Sequence, residues 1–175
     1  MQVVNIAQYE NTGHVVAALG NFDGVHRGHQ TLLMETVRLA RVLHATPIVY
    51  TFSTHPANVL AGRIVAPSIT TNVERLELFG QLGIEMTVMD PFNPETAHLA
   101  PDSFVEHLLF EKLRCAGVVC GFHYHFGSHG AGDAALMQML CTELGMTASI
   151  MPPVLQDGRV ISSTWIRECV VTGIV

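Results

Sequence analysis

Apolar positions along this chain fall into short unbroken runs separated by stretches of helical spacing. Val15, Val16, Ala17, Ala18 and Leu19 are contiguous and end at a glycine. A strand buried on both faces reads this way, whereas a strand with one wet face alternates, so we assign a strand to 14–20. Leu32, Leu33, Val37, Leu39 and Val42 then recur at helical spacing and predict a helix over 31–43. The sequence goes on in the same manner, with strands over Thr46–Phe52, 84–89 and 117–121 and an extended run over 148–151. Between them lie a helix over 73–82 capped by Thr71 or Asn72, one capped by Asp102 or Ser103 and running through Leu113, one over 134–144, and a short last helix from Ser163. Strands alternating with helices predict an α/β fold, a Rossmann-like parallel sheet with helices on both faces. Residues 53–70 and 90–101, richer in Pro, Thr and Ser, read as loops inside one domain.

Composition narrows the picture. The 175 residues are 49% hydrophobic and only 14% charged, enough to bury about 70% of the unfolded surface and unlike a disordered chain. A net charge of −6 argues against a nucleic-acid partner. No apolar run approaches the length of a membrane span and the first residues lack a basic signal-peptide region, so a cytoplasmic protein is expected. Cys115, Cys120, Cys141 and Cys169 show no CxxC spacing and are expected as reduced, mostly buried thiols. Lys112 is the only lysine, so a phosphate site would depend on arginine, histidine and backbone N–H groups.

The candidate chemistry lies where the first strand ends. Gly20-Asn21-Phe22-Asp23-Gly24-Val25-His26-Arg27-Gly28-His29-Gln30 runs from a strand through a glycine-punctuated turn into a helix. The free N–H groups of a helix N-terminus attract anions, and glycine admits a phosphate close to the backbone. The spacing sets His26 and His29 on one side of that first turn, and two imidazoles there suit a polyphosphate. A second anion-binding end is suggested by Ile161-Ser162-Ser163-Thr164 with Arg167 one turn on. Asp23 reads equally as a structural turn residue or as part of a catalytic turn.

These strings resemble the signature motifs of the nucleotidylyltransferase superfamily. The longer Gly20–Gln30 string resembles more specifically the FMN adenylyltransferase (FAD synthetase) half of the bacterial bifunctional riboflavin kinase/FMN adenylyltransferase family. Thr51-Phe-Ser-Thr-His-Pro56 is similar to that family's Thr-Phe-x-Pro-His-Pro segment. Gly121-Phe-His-Tyr-His-Phe-Gly127, with Gly132-Asp133 after it, is similar to its Gly-x-(Asp/Asn)-Phe-x-Phe-Gly stretch. The matches run in the family's order from Gly20 to Arg167. The departures are Thr54 for a proline, His123 for an acidic or amide residue, His125 at a position often basic, and Val160 where a basic residue often stands.

The resemblance implies one nucleotidylyltransferase domain over 1–175, with the riboflavin kinase domain absent. It implies adenylyl transfer from ATP to FMN giving FAD and pyrophosphate, with Mg²⁺ expected and no nucleophilic serine or cysteine. His26, His29 and Asp23 would form the catalytic turn. Gly20, Asn21, Phe22 and Gly28 would frame the nucleotide through close backbone approach, and Ser162, Ser163, Thr164 and Arg167 would hold the ATP phosphates. His55, Pro56 and Phe126 would lie on the flavin side. Other readings stay open: a nucleotidylyltransferase with a different acceptor, a nucleotide- or flavin-binding module without catalysis, or a transition-metal site gathering His123, His125 and His129 with His26 and His29. The metal ligands are not assigned. The apolar run from Cys169 to Val175 suggests an end packed on the domain or a contact between copies.

Overall fold

The computed structural model describes residues 1–10 and 13–173. Six parallel strands form one sheet: β1 (Gln2–Asn5), β2 (Val15–Leu19), β3 (Thr46–Phe52), β4 (Met86–Asp90), β5 (Cys115–Gly121) and β6 (Thr147–Met151), in the order β1-β4-β3-β2-β5-β6. The chain leaves β2 for β3 on one side and later returns to its other side as β5, so the strand order reverses at β2. The carboxyl end of that reversal is where doubly wound sheets bind ligands.

The unbroken apolar run of β2 has the predicted cause, since all five residues are buried. Val15, Ala17 and Leu19 face one core with Leu108, Leu109, Met137 and Cys141, while Val16 and Ala18 face the other with Leu32, Leu33, Leu39 and Phe79. Helices α1 (Arg27–Val42) and α3 (Asn72–Gln81) supply the second face; α6 (Ala134–Glu143) and a wider π-helical coil over Phe104–Lys112 supply the first. Short helices α2 (Pro56–Ala61), α4 (Pro94–Ala97) and α5 (Pro101–Ser103) interrupt the segments expected as loops. A hairpin of β7 (Leu155–Gln156) and β8 (Arg159–Val160) precedes α7 (Ser163–Thr172).

Three expectations need correction. The strand β1 was not predicted; only Val3 and Val4 mark it, and it is a largely exposed edge strand paired in parallel with β4. Asp102 and Ser103 do not cap a helix. Pro101, whose missing N–H suits a first helical position, starts it after Ala100, and no side chain caps the end. The coil beyond Phe104 then winds by i→i+5 bonds, as in Leu113 N–H to the Leu108 carbonyl at 2.9 Å. The helix after the first turn also begins earlier than 31, at Arg27 with His26 as its cap. Cys115, Cys120 and Cys141 are buried free thiols, and Cys169 is a half-buried one. No helix among the described residues is long and apolar enough to cross a membrane.

Candidate active site

Two helix N-termini converge on the turn after β2. His26 caps α1, its Nδ1 accepting from His29 N–H at 3.3 Å. Ser162 caps α7, its hydroxyl accepting from Trp165 N–H at 3.2 Å. Asp23 joins them. Its carbonyl accepts from the Ser163 hydroxyl at 2.8 Å, and its carboxylate accepts from Arg167 Nη2 at 2.6 Å and from the N–H groups of Ile69 and Thr70 at 2.9 and 3.1 Å. Arg167 Nε donates to the Pro67 carbonyl at 2.8 Å. The ends of α1 and α7 thereby face one place with their partial positive charges added.

The turn is wound tightly. Phe22 and Val25 have positive φ (52° and 36°), which is an outlier for a β-branched residue. The surroundings hold this strain. Phe22 is buried edge-on against Phe79 and His29, Val25 is buried, and Gln30 Nε2 donates to the Val25 carbonyl at 2.9 Å. A Cβ at Gly28 would stand 3.2 Å from the His26 ring, so a larger residue there would have to displace that ring slightly.

The imidazoles of His26 and His29 stack, with centroids 3.6 Å apart and planes 18° from parallel. Burial lowers both pKa values. For His29 the charge of His26 and, further down, that of Arg75 add to burial and push it down to about 3, against the opposing pull of Asp23. Because His26 Nδ1 is taken as an acceptor, the neutral ring carries its proton on Nε2, so it donates a hydrogen bond without needing charge. Burial would raise the Asp23 carboxyl, but the N–H groups of Thr70 and Ile69 and the Arg167 guanidinium together hold it below its ordinary value.

Asn21 connects two cavities. One, of about 580 Å³, has apolar walls that include Phe52, Phe92, Tyr124 and Phe126 and is also lined by Gly20 and Asn21. The other, of about 290 Å³, is lined mostly by polar residues, Asn21, Asp23, Thr54, His55 and Arg75 among them. His55 caps α2, its Nδ1 accepting from Ala57 N–H at 3.2 Å. Its proton therefore sits on Nε2, 3.5 Å from the Asn21 carboxamide, and the amide oxygen is the atom suited to meet it. Burial and the charge of Arg167 lower the His55 pKa. Among the described residues, the buried polar side-chain atoms without a partner are His29 Nδ1 and one end of the Asn21 carboxamide, both in this turn. Such atoms are costly unless a ligand or solvent meets them.

The predicted residues therefore gather, with roles that sequence could not assign. Asp23 and Arg167 are bound to each other. The Ser162 hydroxyl caps its own helix, the Ser163 hydroxyl is taken by the Asp23 carbonyl, and Thr164 is exposed. The side chain of Phe22 lies in the core. Phe126 is buried, paired across an isolated bridge with Gly132, and stacked near Tyr124, while Pro56 opens α2 at the cavity wall. Gln30, Thr70 and Arg75 belong to the site and were not foreseen. Of these only Gln30 stood in a recognisable string.

A family model described as FAD synthetase matches residues 8–165. The chain belongs to the FAD synthetase family. The bifunctional riboflavin kinase/FMN adenylyltransferase of Escherichia coli (strain K12) is 29% identical over 164 residues, covering 94% of this chain and 52% of that protein. The Bacillus subtilis (strain 168) protein of the same name is 32% identical over 167 residues, covering 94% and 52%. The chain thus spans about half the length of these curated relatives. A Streptococcus pneumoniae crystal structure described as a macrolide-efflux protein shares the fold with a TM-score of 0.87 at 26% identity, over 100% of this chain and 58% of that one.

Against the FAD synthetase pattern, the departures occupy distinct places. Thr54 lines the polar cavity, and the exposed His123 and His125 line the larger one. Val160 is exposed on the hairpin, and Arg159 beside it is committed to α7, with Nη2 2.8 Å from Glu168 and its guanidinium 4.6 Å over the Trp165 ring. Among the described residues no three His, Cys, Asp or Glu side chains gather as metal ligands, so the five histidines weighed as a transition-metal site stand apart as a set. The acid of the turn, Asp23, is already taken by Arg167 and the Ile69 and Thr70 N–H groups, so a divalent ion would fit here only with phosphate oxygens and water as its main ligands.

Proposed function

We propose that this chain transfers the adenylyl group of ATP to the phosphate of FMN, giving FAD and pyrophosphate. The observation that carries the reading is the convergence of the α1 and α7 N-termini on the Asp23 turn beside a cavity of about 580 Å³ with aromatic walls. That arrangement offers a phosphate-binding end next to a slot of the size small-molecule sites use. In this reading an FMN phosphate oxygen attacks the α-phosphorus of ATP, and the bond to the β-phosphate oxygen breaks in line as pyrophosphate leaves. The acceptor is already largely dianionic at neutral pH, so no side chain need take its proton.

The residues then position and neutralise. His26 donates through Nε2 to the α-phosphate, and His29 meets phosphate through its partnerless Nδ1 once an anion raises its proton affinity. The N–H groups at the starts of α1 and α7, with Ser162, Ser163, Thr164 and Arg167, hold the β- and γ-phosphates. Gly20, Asn21, Phe22 and Gly28 shape the approach of the nucleotide, and His55, Pro56 and Phe126 lie toward the isoalloxazine ring. Mg²⁺ on the phosphates would supply further charge neutralisation. The matched residues are those of the FAD synthetase family, and riboflavin kinase chemistry is not assigned to them.

The test incubates the purified chain with ATP, Mg²⁺ and FMN and follows FAD by chromatography. FAD is expected from the wild type and is lost in a His26→Ala/His29→Ala variant. ATP binding by calorimetry without FAD formation would overturn the FMN assignment in favour of another acceptor or a binding role.

A further inference from the structure

Arg75 is the outstanding charge of this molecule. It lies on α3 at 7% exposure, and none of the ion pairs among the described residues includes it. Charged side chains are rarely buried without a counter-ion. Its donors go instead to uncharged oxygens: the Asn21 carbonyl, the Phe52 carbonyl at 3.0 Å, and Asn72 Oδ1. The Asn21 carbonyl also accepts from the Thr51 hydroxyl at 3.3 Å. The guanidinium thus spans the carboxyl ends of β2 and β3, holding the strand that delivers the His26 turn to the strand that delivers His55.

Its helix is capped one turn before it. Thr71 and Glu74 form a reciprocal capping box at the start of α3, directly after the Ile69 and Thr70 N–H groups that hold Asp23. Arg75 also lines the polar cavity, where it is the only lysine or arginine. Asp23, the nearby acid, already bonds Arg167, so the positive charge of Arg75 is left over.

We infer that Arg75 is a positioning residue for nucleotidyl transfer: its planar fork fixes the Gly20–Asn21 turn against Phe52, and its unpaired charge stands behind the turn where phosphate is drawn in. The planar fork matters because two carbonyls and an amide oxygen lie along it, whereas an ammonium is a point charge. The charge is felt in front of it as well. It contributes to the lowered pKa values of His29 and His55, alongside burial, His26 and Arg167, and against Asp23. The turnover part of this inference rests on the function proposed above.

The experiment compares Arg75→Met and Arg75→Lys with wild type. Arg75→Met keeps the length and loses both fork and charge; kcat for FAD formation at saturating ATP is expected to fall about 100-fold. Arg75→Lys keeps the charge and is expected to fall about tenfold. Side-chain NMR gives a readout that mere stability would not move: the His55 titration midpoint shifts up in Arg75→Met and stays near wild type in Arg75→Lys. A folded Arg75→Met with kcat within about threefold of wild type, or with an unmoved His55 midpoint, overturns the inference. If Arg75→Met loses its cooperative melt, Arg75→Lys decides, and wild-type kcat in that folded variant overturns it. Should the wild type make no FAD, the function proposed above fails by itself. ATP affinity then replaces kcat: about tenfold weaker binding in Arg75→Met supports the role of Arg75, and equal affinity overturns it.

Discussion

His29, proposed above to meet phosphate, is also a residue whose burial destabilises the fold in acid. In the unfolded chain its imidazole titrates near 6.5, and in the folded protein burial and neighbouring charge push it down to about 3. Between those values the unfolded state binds more protons, so the stability His29 contributes is complete above about pH 6.5 and is lost as pH falls toward 3. The slope from this one group is about 1.4 kcal/mol per pH unit. Urea unfolding of wild type and His29→Gln at pH 7 and pH 5 measures it: the wild type is expected to lose the larger share of its stability, whatever the offset at pH 7. At this scale the sequence was readable where chemistry sits in a string. His26, His29 and the Ser162–Ser163 end are legible because glycine spacing and hydroxyl runs announce helix starts. Arg75 and the clamp on Asp23 were not, because their meaning comes from contacts 46 to 144 residues away.

The elements differ in how firmly they are anchored. Helix α1 buries Leu32, Leu33, Leu39 and Ala40, whereas α7 buries no residue. Its polar ties include the Asp23–Arg167 and Ser163–Asp23 contacts, the bond to Pro67 and the contacts of Arg159 with Glu168 and Trp165. Elements with little buried apolar surface open first. Hydrogen exchange is therefore expected to be faster across α7 than across α1, and ATP should slow it in α7 most. Ser162→Ala removes the cap and is expected to destabilise α7 by about 1 kcal/mol, read as faster exchange there with α1 unchanged. Element prediction from sequence held where both faces are buried and weakened at the rim. β1 is four residues of mostly exposed edge, and α2 begins at a His-Pro pair inside a Pro- and Ser-rich stretch. The Asp157-Gly158 pair, both at positive φ, is a strong hairpin signal, but its strands are two residues each and show no alternation.

Across the whole molecule, the central position of β2 follows from its composition. Five small or medium apolar residues suit a strand with helices on both sides, and Ala17 and Ala18 leave little room on either. Ala18→Leu should overpack the face shared with α1 and cost roughly 1–3 kcal/mol, seen as a lower urea midpoint. The strand order itself was not legible. Alternating elements predict a parallel sheet, but which strands become neighbours depends on crossovers that leave no local mark. The clamp between Asp23 and Arg167 carries a consequence for synthesis. The turn emerges from the ribosome ahead of its partner, and its carboxylate meets its cation only after 144 more residues have followed. All six strands of the sheet precede Arg167, so a nascent chain can hold every strand and still leave the Asp23 turn unlatched. In the proposed function, readiness to bind nucleotide then waits on a helix that buries no residue, so closing the sheet and completing the site are separable steps.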